Sequence, residues 1–154
     1  MSGSARLVTI AGSLGLLAAL GGCSGPGSVT GEFDGCLVGD RGTIAIGVTN
    51  SGGETLTISA VTVADGSGIE VADPFIALDD EARDTPAVFT SGGRDEFGGV
   101  DLDRAAIEPG GAAFVGIEVH RTGAADGLVA GLVVTVDGAQ QRAPVSLALR
   151  DSCG

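Results

Sequence analysis

The stretch Thr43-Ile44-Ala45-Ile46-Gly47-Val48-Thr49 decides the fold. Ile44, Ile46 and Val48 recur with a period of two, which places them on one face of a strand; a helix would scatter them. Asn50-Ser51-Gly52-Gly53 follows as a turn, and the pattern resumes with Leu56 and Ile58. Val61 and Val63 then fall on the opposite parity, so a β-bulge is expected near Ala60.

Working outward, the same grammar repeats. Asp65-Gly66-Ser67-Gly68 reads as a turn before Ile69 and Val71. Glu108-Pro109-Gly110-Gly111 reads as another, ahead of a strand in which Val115, Ile117 and Val119 share a face. Leu128 to Val136 is apolar on both faces, as a central strand would be. Asp137-Gly138 signals a hairpin, after which Val145, Leu147 and Leu149 alternate. Pro144 cannot donate to a ladder and marks an edge or a bulge. Leu78 to Asp103 is poorer in apolar residues and reads as long loops around short strands near Val88-Phe89 and Val100-Asp101-Leu102. Short strands at this spacing predict an all-β fold, a single immunoglobulin-like antiparallel β-sandwich behind a signal segment.

The order of these patterns resembles the Hydin-type (ASH) immunoglobulin-like domains. The V-x-N-x-G-x-x-x-L-x-I hairpin is matched by Val48, Asn50, Gly52, Leu56 and Ile58, and the Pro-Gly turn by Pro109 and Gly110. The resemblance covers Gly42 to Leu149, with Leu78 to Asp103 unmatched. It implies a non-enzymatic domain and supplies no catalytic residues.

The N-terminus reads as an address. Met1 to Arg6 carries one positive charge, and Leu7 to Leu20 follows without any, a length suited to a signal peptide and short for a membrane span. Leu20-Gly21-Gly22-Cys23 resembles the bacterial lipobox, which implies cleavage after residue 22 and a diacylglycerol on the Cys23 thiol. Ser24-Gly25-Pro26-Gly27-Ser28 would break any helix at once. The expected organisation is a signal peptide over 1–22, a lipidated Cys and flexible tether over 23–35, and a sandwich domain over 36–154. A tether of that length spans roughly 20 Å, so the domain would sit close to the membrane of a bacterial envelope, on its extracytoplasmic side.

Composition removes several functions. Among the 154 residues, 20 are acidic and 8 basic, for a formal net charge of -12; such a surface repels nucleic acid and anionic lipid. With five Phe and no Trp or Tyr, functions that need flat-ring platforms for sugars, bases or quaternary amines lose weight. His120 is the one His in the chain. It falls at a strand end, opposite the face of Val115, Ile117 and Val119, and no Gly-x-Ser-x-Gly elbow accompanies it; a surface position is expected. Gly92-Gly93-Arg94-Asp95-Glu96-Phe97 resembles the cyclase G-G-D-E-F signature, but Arg94 interrupts it and no α/β alternation surrounds it, so the match is rejected. No catalytic residue and no cofactor are assigned.

Acidic clusters are the remaining candidates for a ligand. Asp79, Asp80, Glu81 and Asp84 crowd one loop, Asp95 and Glu96 another, and Asp101 and Asp103 are spaced to share a strand face. Calcium takes six to eight oxygens from such loops, but the D-x-D-x-D-G loop with its distant Glu is missing, so a solvated acidic surface is expected. Cys36 and Cys153 remain as an even pair in an exported domain and are expected to form a structural disulfide. The expectation for function is a membrane-anchored interaction or structural module with an envelope protein as partner. The alternative is a lipoprotein whose acidic loops take a cation or small solute.

Overall fold

The computed structural model describes residues 33–154; Cys23 and the segment read as a signal peptide lie outside them. Eight strands build two four-stranded sheets: β1 (Phe33–Val38), β2 (Arg41–Thr49), β3 (Ile58–Ser67), β4 (Ile69–Leu78), β5 (Ala87–Thr90), β6 (Ala112–Arg121), β7 (Gly127–Val136) and β8 (Ala139–Arg150). Sheet order is β1-β8-β7-β3 in the first sheet and β4-β6-β2-β5 in the second. With β2, β3, β4, β6, β7 and β8 in the places of strands B to G, this is the immunoglobulin arrangement. Two elements depart from the plain form. β1 pairs with β8 in parallel, the one parallel pair in an otherwise antiparallel sandwich, and β5 takes the outer place beside β2.

The core lies between the sheets. Ile44, Ile46 and Val48 from β2, and Val115, Ile117 and Val119 from β6, face Leu132, Val134, Val145, Leu147 and Leu149, all of them at most 2% exposed. Each such side chain contributes roughly 1.5–3 kcal/mol by leaving water. The expected bulge is present: register shifts between Ile58 and Ala60, so Ile58, Val61 and Val63 all reach the same core. Pro144 also sits at an irregularity, where Ala130 pairs with Ser146 but Leu132 pairs with Ala143. Gly131 lies inside it at φ +86°, a backbone that favours glycine.

Asn50 is fully buried and joins two turns. Its Nδ2 donates to Glu54 O (2.7 Å) and Ile107 O (2.8 Å), and its Oδ1 accepts from Gly52 N (3.0 Å). Its own carbonyl accepts from Gly110 N (2.8 Å), so the Asn-Ser-Gly-Gly turn and the Pro-Gly turn are one hydrogen-bonded unit. Buried amides persist only when satisfied in this way.

Four readings need correction. β3 runs through Asp65, Gly66 and Ser67, and the turn narrows to Gly68 at φ +63°. β1 begins at Phe33 and takes in three residues assigned to the tether, because Phe33, Gly35 and Leu37 alternate toward the interior. Asp101 and Asp103 share no strand: Asp101 precedes the 3-10 turn Leu102–Arg104 and Asp103 lies within it, while Val100 makes a single bridge to Ile76. β7 is central, yet only one of its two apolar faces is covered.

Candidate functional site

The two sheets treat their outer faces differently. On the second sheet, residues between β4 and β6 fold back as a third layer. Ala82 and Phe97 pack there, beside Val88 of β5, against Ala45, Phe75, Ala77, Ala112 and Phe114. The rings of Phe75, Phe97 and Phe114 pack in sequence, the first pair tilted and the second edge-on, with centroids 5.3 and 5.6 Å apart. Thr43 is fully buried and donates from Oγ1 to Gly92 O (2.6 Å), while Glu118 accepts from Arg94 N (2.7 Å). The layer lies so close that a Cβ on Gly47 would come within 2.1 Å of the Ala82 carbonyl oxygen. Small residues on β2 and β6 are what admit it.

The first sheet has no such cover. Register places five rows across its outer face: Val38 and Arg150; Cys36, Ala148, Leu128 and Ser67; Asp34, Ser146, Ala130 and Asp65; Arg142, Val133 and Thr62; Gln140, Thr135 and Ala60. Leu128 is 41% exposed. Asp34 and Asp65 are the carboxylates in these rows, and Arg142 reaches toward Asp65 at 3.4 Å. A molecule this acidic thus presents one face whose few charges, Asp34 and Asp65 against Arg142 and Arg150, balance. A shallow depression of about 340 Å³ marks it where Gly131, Arg142, Pro144 and Ser146 meet.

The sequence-selected residues fall as follows. Cys36 and Cys153 are bonded, with Cα atoms 5.8 Å apart; the bond lies at the β1 edge of the uncovered sheet. Asp79, Asp80, Glu81 and Asp84 belong to the 3-10 turn Asp80–Arg83 and its caps. Asp79 Oδ1 accepts from Glu81 N (2.9 Å), and Asp80 lies 3.6 Å from Arg83. Glu96 accepts from Thr90 Oγ1 (2.8 Å). Among the described residues, no three His, Cys, Asp or Glu side chains come together in a group able to hold a metal. His120 is half-buried at the end of β6, between Arg41 and Glu70 in the ladder.

Two charge clusters escaped the sequence reading, one because its members are far apart in the chain and one because its members meet only through the fold of a single loop. Arg121 donates to Asp151 (2.6 Å) and to Asp40 (2.8 Å), tying β6 to the residues just beyond β1 and β8. Asp151 first, and Asp40 with it, hold the Arg121 guanidinium above its usual pKa. Its Nη1 is buried without a partner among the described residues. Arg94 donates to Asp101 (2.8 Å) and thereby holds that carboxyl below its usual range. Both clusters fasten loops to the sandwich.

No protein-family model matches the chain, and no curated protein matches it in sequence.

Proposed function

We propose that this chain is an extracytoplasmic lipoprotein of the bacterial envelope, anchored through Cys23, whose sandwich acts as a non-catalytic interaction or structural module. The observation that carries the interaction reading is the uncovered outer face of the first sheet, whose charges balance on a chain of net charge -12. Carboxylates elsewhere repel the anionic surfaces of an envelope, so approach is least opposed there. Four strands at about 4.8 Å spacing make a face about 14 Å across. Over about 33 Å for ten residues that is roughly 460 Å², small beside the roughly 800 Å² per partner of a stable interface. Such a face suits a weak contact strengthened by confinement on a membrane. The lipobox resemblance supports the anchor.

Two measurements test this reading. Metabolic labelling with a fatty-acid analogue is expected to mark the full chain and to miss Cys23→Ser; equal labelling contradicts the anchor. A photo-crosslinking residue at Ala130 or Leu128 is expected to give protein adducts in membranes, and one at Glu81 or Asp95 to give few. Adducts spread evenly over both sets contradict a dedicated face.

A further inference from the structure

The described chain begins in the same sheet that carries the open face, and the Cys36–Cys153 bond lies between the two. Phe33 enters opposite Val145, and β1 runs parallel to β8 until Val38 stands opposite Arg150. Phe33 and Leu37 pack against the core between the sheets. Gly35 sits so close to β5 that a Cβ there would meet the Phe89 ring at 2.7 Å. On its other side β8 pairs with β7, where Leu128 and Ala130 are exposed on the open face.

A six-residue edge strand is a weak place to hang a load. A pull back along β1 strains its ladder in shear, all bonds together. A pull across it opens the ladder one bond at a time from Phe33, and each such bond contributes little net on its own. The disulfide stops that peel at Cys36, halfway along the strand. Its partner Cys153 lies just past the end of β8, and the chain between is fastened. Asp151 accepts from Arg121 Nη2 (2.6 Å), and the Arg150 carbonyl accepts from Gly39 N (2.9 Å). The same Arg121 side chain is 9% exposed and also donates to Asp40 (2.8 Å). The segments that follow β1 and β8 are thus pinned to β6 at one point. Both cysteines are exposed, so the bond fills no core space; its position is what it contributes. β3, the other edge of this sheet, has no covalent clamp.

We propose that the Cys36–Cys153 bond is a load path: tension on the Cys23 anchor crosses it from β1 into the end of β8 and reaches the open face within one sheet. This rests on the reading of the chain as an anchored interaction module. A partner fixed elsewhere in the envelope pulls on the module whenever the two move apart. The bond spans 117 positions, so that pull bypasses the connection from β1 to β2 and the whole second sheet.

The test stretches the full chain in an optical trap, with one click-chemistry handle at Ser28, ahead of β1, and one at Ala130. In the wild type the covalent route between handles crosses the disulfide and spans about 30 residues, so the chain is expected to reach about 100 Å when it yields. With Cys36→Ser and Cys153→Ser the route runs through β2 to β7 and is expected to reach about 350 Å, after an early step of about 25 Å as β1 leaves β8. A double variant that yields at the wild-type force, with no early step, overturns the load path. A second measurement leaves the cysteines untouched. The wild type is pulled at Ala130 against a handle at Ser51, an exposed residue of the turn that leads to the unclamped β3. It is expected to yield at a lower force than from Ser28; an equal or higher force contradicts the proposal. Failure here leaves fatty-acid labelling at Cys23 and photo-adducts at Ala130 unchanged, whereas their failure removes the anchor or the partner and not the route through the bond.

Discussion

The outer faces of the two sheets began from the same strand logic and ended differently. β2 and β6 bury both sides: one against the opposing sheet, the other beneath the Phe97 layer. β7 and β8 bury one side and leave Leu128, Ala130, Ser146 and Thr62 of neighbouring β3 to solvent or to a partner. The difference is not one of hydrophobicity, since Leu128 and Val133 are as apolar as Ala45. It lies in side-chain size. Gly47 leaves room for the Ala82 and Thr85 carbonyls to pass close, Thr43 and Ala45 beside it contact the same layer, and the chain between β4 and β6 is long enough to supply it.

The largest expected effect falls on the uncovered sheet. Replacing Cys36 and Cys153 by Ser opens a closure spanning 117 positions and is expected to cost about 4–5 kcal/mol in denaturant unfolding. On the covered sheet, Phe97→Ala is expected to cost about 3 kcal/mol by the same measurement, because it empties the centre of the aromatic trio. A loss below about 1 kcal/mol would mean the layer is loosely attached. The faces are separated most sharply by adding atoms. Gly47→Ala drives a methyl into the Ala82 carbonyl and is expected to cost about 2 kcal/mol. Ala130→Val, on the open face, is expected to stay within about 0.5 kcal/mol of wild type.

The smallest effect is electrostatic and belongs to the covered side. Arg94 holds the Asp101 carboxyl below its usual range through a hydrogen bond and through its charge. The folded value lies under the unfolded one, so this contribution is present above about pH 4 and lost as pH falls through the folded value. Melting temperatures between pH 5 and pH 2 are expected to fall less for Asp101→Asn than for wild type. Parallel curves would show that the pair adds nothing at this exposed site.

What the sequence made legible follows from local periodicity. Ile44, Ile46 and Val48 announce a strand because alternation is a property of adjacent residues. The bulge near Ala60 and the irregularity at Pro144 are readable for the same reason. The disulfide was readable from the even pair of thiols that remained once Cys23 was set aside by its resemblance to a lipobox. The third layer was not, because nothing local says that Phe97 and Ala82 return to β2; the spacing of small residues on its second face was the available signal. Arg121 was missed likewise, since Asp40 and Asp151 meet it only after folding. Composition marked the acidic loops but not their local contacts: Asp79 caps a turn, and Asp101 meets Arg94 and Arg104.

The contrast between the faces is tested most directly by thiol accessibility in the native membrane. Ala130→Cys on the open face and Asp95→Cys on the third layer are compared for maleimide labelling in intact membranes and after dilution into detergent. The account predicts that Cys at 130 is protected in membranes and becomes reactive on dilution, while Cys at 95 reacts equally in both. Equal reactivity of both positions in intact membranes would contradict the assignment of the uncovered sheet as the working face of the molecule.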